Sequence, residues 1–339
     1  MIYLKKDVLQ GMVILNRIIA ESIDKLVLKD LHKKRSIKSY FRIIDEDVED
    51  FNSFYNTPTI PNIKFQQQLK GDNYNIGKFL FQSEIDNGLS NKYSTGLFYE
   101  NKNLSQQASV IIVHGWRMDE LSGVKNIYIK PFSYLGLNMY YFTLPYHLER
   151  EPEESLYSGE LMITSDVNKS LRSIRQAITD IRALVKWIKN NRKGKVILIG
   201  VSLGGFVANM TAVVEKDIDA LISTFYANNI AYSIWNTIPG RYIKKDFEQG
   251  GYTYEQLEKA WAIANPSKYK PLVKRENILL LSGMYDHFVV RKDTDYLWES
   301  WDRPKRILYP CGHAGLVLCR KKIAKDTMSF IINMLGIIK

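Results

Sequence analysis

The residue with the clearest chemical potential is Ser202, in the segment Gly200-Val201-Ser202-Leu203-Gly204. This segment follows a strand-like apolar run at 195–199 and precedes a helical pattern that begins near Gly205, which is the context of a nucleophile elbow. A sharp strand-to-helix turn strains the serine backbone, and side chains at the flanking glycine positions would clash. The segment therefore predicts a nucleophilic serine beside free helix amides that can hold an oxyanion.

A serine hydroxyl needs a base within hydrogen-bond reach, and that base needs an acid to orient it. Only His287 and His313 follow Ser202 in the chain, and only His313 leaves room for an acid between nucleophile and base. We therefore predict His313 as the general base. The other histidines are His32, His114 and His147.

The acid is predicted to be Asp286, which follows a strand-like run at 277–281. Parallel sheets present reactive groups at the carboxyl ends of their strands. Two alternatives stay open. Asp286 could instead cap a helix or an Asx-turn, and Asp293 or Asp295, deeper in the next helical pattern, could be the acid.

The oxyanion donors are predicted to be the backbone amides of Trp116 and Leu203. Trp116 follows the pair His114-Gly115, a tight turn directly after the apolar run 109–113. Leu203 follows the nucleophile and opens the next helix, where amides are free. His114 itself is expected to be structural.

Alternating strands and helices must position these groups. A helix is predicted over 171–191, and an Asp86-Asn87-Gly88 turn predicts a hairpin before the parallel part. The fold class expected is α/β, with a mostly parallel twisted sheet flanked by helices. The strand-like runs are 77–85, 93–99, 109–113, 137–144, 195–200, 220–225, 277–281 and 306–309.

Two additions to this core are predicted. Residues 1–75 are assigned to a helical N-terminal appendage and residues 76–339 to the main domain, with a helical cap inserted at about 227–271. The cap is rich in aromatic residues, and Trp235 is a candidate substrate-binding residue. The appendage helix has one apolar stripe, predicted either to pack on the domain or to lie on a membrane surface: Val8, Met12, Leu15, Ile19, Ile23 and Leu26.

These motifs resemble the α/β-hydrolase superfamily over residues 76–339. The resemblance rests on His114-Gly115, the elbow at Ser202, Asp286 and His313, in the chain order Ser, Asp, His. It implies hydrolysis of a carboxylic ester through an acyl-enzyme, although the fold also serves acyltransferases and peptidases. A non-catalytic scaffold that keeps the fold is the alternative of another class.

A narrower likeness concerns Leu144, Pro145, His147 and Arg150, a stretch similar to one in poorly characterised esterase-like members. One hypothesis places His147 and Arg150 at the pocket rim, where the arginine could bind a carboxylate or phosphate. The other is an ion pair that fixes a loop, with a nearby glutamate as partner: Glu151, Glu153 or Glu154.

Bulk composition sets the remaining expectations. Net charge is +11 with 45% hydrophobic residues, typical of a globular chain. The basic stretch with Lys33, Lys34, Arg35 and Lys38 precedes the acidic stretch Asp45, Glu46, Asp47, Glu49 and Asp50, and no zinc spacing, phosphate loop or nucleic-acid motif accompanies the charge. We expect a cytoplasmic enzyme with a small-molecule ester substrate, no cofactor or metal and no nucleic-acid partner. Peripheral membrane contact stays open, and the sequence gives no oligomeric state.

Overall fold

The computed structural model describes residues 2–33, 39–43, 50–103 and 108–337, and for 2–16 it describes the backbone alone. Within these residues nine strands form one sheet. The strands are β1 (Lys64–Lys70), β2 (Tyr74–Gln82), β3 (Tyr93–Asn101), β4 (Ala108–Val113), β5 (Asn138–Phe142), β6 (Lys195–Val201), β7 (Ala220–Thr224), β8 (Ile278–Gly283) and β9 (Lys305–Tyr309).

The sheet order is β1-β2-β3-β5-β4-β6-β7-β8-β9. The first three strands pair antiparallel, as do β3 and β5, and every pair from β5 and β4 through to β9 is parallel. Strands β4, β5, β7 and β8 are buried along their whole length, and β6 is buried after its first residue, as expected where helices cover both faces of a parallel sheet. The carboxyl ends of these strands therefore meet at one edge, which is where loops can gather reactive groups.

Helices cover both faces of the sheet. The helices are α1 (Ile2–Leu31), α2 (Phe51–Phe54), α3 (Ser122–Tyr134), α4 (Val167–Asn191), α5 (Leu203–Val214), α6 (Ile230–Asn236), α7 (Arg241–Gln249), α8 (Tyr254–Ala260), α9 (Arg291–Ser300) and α10 (Leu316–Leu335). Apolar residues of α4, α5, α9 and the cap helices α6 to α8 join the core on one face, and those of α3 and α10 join the core on the other.

The mostly parallel sheet flanked by helices confirms the predicted fold class. The eight strand-like runs correspond to β2 through β9, and the long predicted helix corresponds to α4. The Asp86-Asn87-Gly88 turn lies between β2 and β3, which pair as a hairpin. The segment between β7 and β8 contains α6, α7 and α8, so this insertion is helical.

Strand β1 was not predicted, and it lies within the residues assigned to the helical appendage. Its sequence, Lys-Phe-Gln-Gln-Gln-Leu-Lys, lacks the apolar alternation of a half-buried strand, because six of its seven residues are exposed at the sheet edge. The sheet therefore begins at Lys64, ahead of the predicted domain boundary at residue 75.

Helix α1 contacts the domain through a face other than the predicted stripe. Ala20, Asp24 and Leu28 are buried, whereas Ile19 is 48% and Leu26 is 68% exposed. The buried face includes a polar residue, Asp24, which accepts hydrogen bonds from backbone amides of the domain. A search for apolar periodicity therefore selects the wrong face. The side chains of Val8, Met12 and Leu15 lie outside the described residues.

The charged stretches that flank this region are also only partly described. Lys34, Arg35, Lys38, Asp45, Glu46, Asp47 and Glu49 lie outside the described residues. Among the helices that the structure describes, none combines the length and apolar character needed to cross a bilayer. The cytoplasmic location stays a prediction.

Candidate active site

Ser202 occupies a strained turn between β6 and α5. Its backbone angles are φ 56° and ψ −117°, a conformation that non-glycine residues rarely adopt. The neighbouring glycines make this turn possible, because a Cβ on Gly200 would lie 2.2 Å from the Gly204 oxygen and one on Gly204 would lie 2.4 Å from the Val113 oxygen. The serine hydroxyl is thereby presented at the carboxyl end of the central strands.

The structure brings Ser202, His313 and Asp286 together. His313 Nε2 lies 3.0 Å from Ser202 Oγ, and His313 Nδ1 lies 2.7 Å from Asp286 Oδ2. Both distances are within hydrogen-bond range. The three side chains come from the elbow after β6, the loop after β8 and the loop after β9, so the topology of the sheet creates the cluster.

The histidine titrates under two opposing influences. Burial lowers the pKa of His313, because the low-dielectric surroundings disfavour the imidazolium. The Asp286 carboxylate, by its charge and its hydrogen bond, and the charge of Asp24 act the other way, so the net effect is a pKa above the ordinary value. The site thus favours the proton on His313 more than burial alone would allow.

Asp286 is held by its own loop. Its Oδ1 accepts the amides of Phe288 (2.9 Å) and Val289 (2.8 Å), which leaves Oδ2 for His313. The side chain is 3% exposed. The Phe288 ring lies parallel to the His313 ring with centroids 4.7 Å apart. The turn that the sequence analysis offered as an alternative role for Asp286 therefore coexists with its contact to His313.

The other two acids considered from the sequence lie elsewhere. Asp293 accepts the backbone amides of Asn228 and Asn229, so it joins α9 to the start of the cap. Asp295 forms ion pairs with Arg291 and Arg306. Among the three candidate acids, Asp286 is the one placed against His313.

The predicted oxyanion donors flank the nucleophile. A Cβ on Gly115 would lie 3.2 Å from Ser202 Cβ, so the turn that leads to Trp116 passes directly beside the serine. Leu203 is the first residue of α5, and amides in the first turn of a helix have no helical acceptor. The arrangement can therefore supply amides from two segments to one side of Ser202.

His114 has a structural part in this turn. Its Nδ1 contacts the Gly115 oxygen at 2.8 Å, and its Nε2 accepts the Leu144 amide at 3.1 Å. Burial lowers its pKa to about 4, so the ring is neutral near pH 7. It joins the loop after β4 to the loop after β5, as expected for a structural histidine.

An apolar cavity of about 300 Å³ opens onto Ser202 and His313. Helix α1 contributes Val27 and Leu31 to its wall, and the cap contributes Ile230 and Ile234. Further wall residues include Trp116, Ile163, Phe288, Val289, Leu316 and Val317, and His32 and Arg117 are the basic residues among them. The cavity can accommodate a small apolar group against the serine hydroxyl.

Two of the predicted substrate-binding residues are not at the pocket rim. His147 is fully buried, with Nδ1 2.8 Å from the Pro145 oxygen. Arg150 is 1% exposed and pairs with Asp180 of α4 at 3.4 Å while donating to the Thr143 oxygen. The ion pair hypothesis had the right kind of contact but the wrong partner, because the pairing is long-range.

Trp235 is likewise turned away from the cavity. Its ring stacks on Phe247 and contacts Tyr254, with centroids 6.4 Å and 6.0 Å away, and it is absent from the described cavity wall. This tryptophan is partly buried and packs against the core of the cap.

Sequence reasoning missed the part of the site formed by α1. Asp24, Val27 and Leu31 belong to a segment that was treated as an appendage, yet Asp24 contacts the histidine loop and the other two line the cavity. An aspartate in the middle of an apolar helix segment, Ile23-Asp24 before Leu26, was the available signal. Its partners are 263 to 290 residues away, which no local pattern reveals.

Comparison with known proteins agrees with this architecture. A family model described as alpha/beta hydrolase domain containing 18 matches residues 136–279. The uncharacterized protein YdjC of Bacillus subtilis (strain 168) is 57% identical over 111 residues, which are 33% of this chain and 96% of YdjC. The uncharacterized protein Rv2627c of Mycobacterium tuberculosis (strain ATCC 25618 / H37Rv) is 29% identical over 191 residues, 55% of this chain and 44% of that protein.

Solved structures share the fold. Acetyl xylan esterase 1 from Thermoanaerobacterium sp. JW/SL YS485 superposes with a TM-score of 0.62 at 13% identity, covering 84% of this chain and 94% of that one. Acetyl xylan esterase from Paenibacillus sp. R4 gives 0.63 at 12% identity, covering 87% and 97%. Such low identities speak for the architecture alone. By its sheet order, its elbow and its match to the family model, the chain belongs to the α/β-hydrolase superfamily.

Proposed function

We propose that this protein is a serine hydrolase that cleaves a carboxylic ester through an acyl-enzyme on Ser202. The observation that carries the proposal is the continuous hydrogen-bonded line from Asp286 through His313 to Ser202, at 2.7 and 3.0 Å, beside an apolar cavity. A nucleophile, a base and an orienting acid in this relation are what acyl transfer requires.

In the first half-reaction, Ser202 Oγ attacks the ester carbonyl carbon while His313 Nε2 takes the hydroxyl proton. The carbonyl oxygen becomes an oxyanion that the amides of Trp116 and Leu203 stabilise. The tetrahedral intermediate collapses when the carbon–oxygen bond to the alcohol breaks. His313 then gives its proton to the leaving alcohol, and the acyl group stays on Ser202.

In the second half-reaction, water takes the place of the alcohol. His313 accepts a proton from water, whose oxygen attacks the acyl carbon, and the same two amides hold the second oxyanion. Collapse returns the proton to Ser202 Oγ and releases the carboxylic acid. Throughout, Asp286 keeps Nδ1 protonated so that Nε2 faces the serine.

The cavity supports an uncharged acyl group of modest size. Its wall beside Ser202 is formed mainly by aliphatic and aromatic side chains, and about 300 Å³ is at the lower end of ligand-pocket volumes. A long acyl chain would have to extend past α1 or the cap. We therefore expect short esters to be better substrates than long ones.

The proposal is tested with p-nitrophenyl esters from acetate to decanoate, assayed with wild type, Ser202→Ala and His313→Ala. Turnover that falls at least 1,000-fold in both variants, in line with losses seen on removing triad members, supports the proposal. A folded wild type that does not hydrolyse any of these esters above background would contradict it.

An amide of the same acyl group separates an esterase from a peptidase. The p-nitroanilide of acetate differs from p-nitrophenyl acetate in the leaving group alone, so their ratio of kcat/KM measures leaving-group preference. We expect the ester to be cleaved and the anilide to remain uncleaved.

Adding a primary alcohol to the ester assay distinguishes a hydrolase from an acyltransferase. In an acyltransferase, acyl transfer to the alcohol would exceed release of the free acid.

Peripheral contact with an anionic membrane is a second proposal, supported by the surface beside the cavity. Leu26 on α1 and Val317 and Leu318 on α10 are 68%, 57% and 75% exposed, and Lys25 and Lys29 are exposed on the same helix α1. Exposed apolar side chains with nearby basic residues are typical of interfacial helices. Co-sedimentation with phosphatidylserine vesicles at low salt tests the proposed membrane contact. A Leu26→Glu/Leu318→Glu variant should bind the vesicles less than wild type. Wild type that does not sediment with the vesicles would refute the contact.

A further inference from the structure

We propose that Asp24, in the N-terminal helix α1, is a positioning residue that holds the His313 loop in its reactive geometry. The inference rests on the proposed serine hydrolase function and deepens it. Asp24 does not touch Ser202, so it acts through the two loops that carry the histidine and the acid.

The contacts are three hydrogen bonds from backbone amides. Asp24 Oδ2 accepts the amide of His313 at 3.0 Å and that of His287 at 3.1 Å, and Oδ1 accepts the amide of Ala314 at 2.9 Å. His313 and Ala314 belong to the loop after β9, and His287 directly follows Asp286 in the loop after β8. One carboxylate therefore joins the loop of the base to the loop of the acid.

The fit of this carboxylate depends on a glycine. A Cβ on Gly312 would lie 2.5 Å from Asp24 Oδ2 and 2.7 Å from Asp24 Oδ1. Any larger residue at position 312 would push the helix or the loop away. The absence of a side chain at Gly312, directly before the base His313, thus makes room for Asp24, which lies nearly 290 positions earlier in the chain.

Burial makes the arrangement more than a surface contact. Asp24 is fully buried, and a buried carboxylate is costly unless its charge is satisfied. Within the described part of the chain its partners are backbone amides, with no lysine or arginine in ion-pair distance. The three backbone amides supply the hydrogen bonds that compensate the burial of this carboxylate, so its removal would leave the amides of both loops without this acceptor.

The charge acts on the histidine as well as on the loop. Among the described residues, the charged groups that face His313 are Asp286, from the loop after β8, and Asp24, from α1. The other polar partner of the ring is the Ser202 hydroxyl. Both carboxylates favour the imidazolium that forms when His313 accepts the serine proton.

The test is the pH profile of p-nitrophenyl acetate hydrolysis by full-length wild type, Asp24→Asn and Asp30→Asn. Asp24→Asn removes the charge and turns an amide donor toward the backbone amides. We expect kcat/KM to fall about 10- to 100-fold through kcat, since small displacements of a catalytic group cost rates of this order, and the acidic limb of the profile to move to lower pH.

Asp30→Asn is the matched control. It makes the same carboxylate-to-amide change on the same helix, but its side chain is 75% exposed, so rate and profile should stay as in wild type. A loss of helix packing alone would lower the amount of active enzyme without moving the acidic limb. Thermal denaturation establishes that the variants are folded. If Asp24→Asn does not fold, Gly312→Ala disturbs the same contact from the loop side and should lower kcat in the same way.

The outcomes separate the two proposals. An active wild type with an Asp24→Asn variant of equal kcat and equal acidic limb overturns the role of Asp24 and leaves the serine hydrolase proposal standing. A wild type without activity, equal to Ser202→Ala, overturns both. A lower kcat and a shifted limb in Asp24→Asn, with Asp30→Asn unchanged, support the positioning role.

Discussion

Oδ2 of Asp286 lies 2.7 Å from Nδ1 of His313, while Oδ1 of the same carboxylate accepts two amides of its own loop. The Asp286 carboxylate is therefore held by its own loop as well as by its contact with His313. In the mechanism we propose, Asp286 Oδ2 accepts a proton held on Nδ1 of His313, which leaves Nε2 to accept the proton of Ser202.

Replacing Asp286 with asparagine should lower kcat about 1,000- to 10,000-fold, because an amide can donate to Nδ1 and so favour the tautomer with its proton on Nε2. Ester hydrolysis measures the effect. Asp295→Asn is the matched control, since Asp295 lies in the following helix and pairs with Arg306 and Arg291. An equal decrease of kcat in the two variants would mean that Asp286 does not orient His313 for catalysis.

Arg150 should matter for stability rather than for substrate binding. It is 1% exposed and paired with Asp180, which is equally buried. Removing one partner of a buried pair leaves an uncompensated charge and typically costs about 3–5 kcal/mol. Arg150→Ala should lower the free energy of unfolding in urea by this order, with little change in KM of the folded fraction. A large rise in KM at normal stability would restore the pocket-rim hypothesis.

The size of the residue at position 234 should set acyl chain length. Ile234 belongs to the cap helix α6 and lines the cavity. Ile234→Phe should reduce the ratio of kcat/KM for the hexanoate ester to kcat/KM for the acetate ester about 10-fold, since one methylene in an apolar pocket has effects of this order. Ile234→Ala should raise the same ratio. If the ratio is the same in both variants, the acyl group lies elsewhere, for example in the neighbouring cavity lined by Tyr40, Tyr157 and Lys245.

Acid should destabilise the fold through His114. Burial lowers its folded pKa from 6.5 to about 4, so the unfolded chain binds a proton at a pH where the folded chain does not. Its contribution to stability is present above pH 6.5 and is lost as the pH falls toward 4, by about 3 kcal/mol in all. His114→Gln, which can keep one donor and one acceptor, should flatten the fall in unfolding free energy between these pH values. An equally steep fall in the variant would assign it to other groups.

The sequence was informative where local pattern determines structure. Apolar runs predicted β2 through β9, and the glycine-flanked Ser202 predicted the elbow, because a strained turn accepts few residue types. Chain order and strand ends were enough to propose His313 and Asp286, which the structure brings into contact with each other and with the serine. Strand β1 was missed because a polar, exposed edge strand carries no periodic signal.

Other differences involve contacts that no local pattern specifies. The sequence offers Glu151, Glu153 or Glu154 as a partner for Arg150, but the fold brings Asp180 to it. Trp235 is of a residue type that is common in ligand pockets, yet it packs on the Phe247 and Tyr254 rings of the cap. Asp24 interrupts an apolar helix face, and its reason becomes visible only when the loop of His313 is placed beside it.

A fluorophosphonate probe followed by peptide mass spectrometry tests whether Ser202 is the nucleophile and whether His313 activates it. The probe phosphonylates activated serines and needs no knowledge of the natural substrate. We expect one adduct on the peptide that contains Ser202, slow labelling of His313→Ala and no adduct in Ser202→Ala. A folded wild type that stays unlabelled, or an adduct that persists in Ser202→Ala, would contradict it.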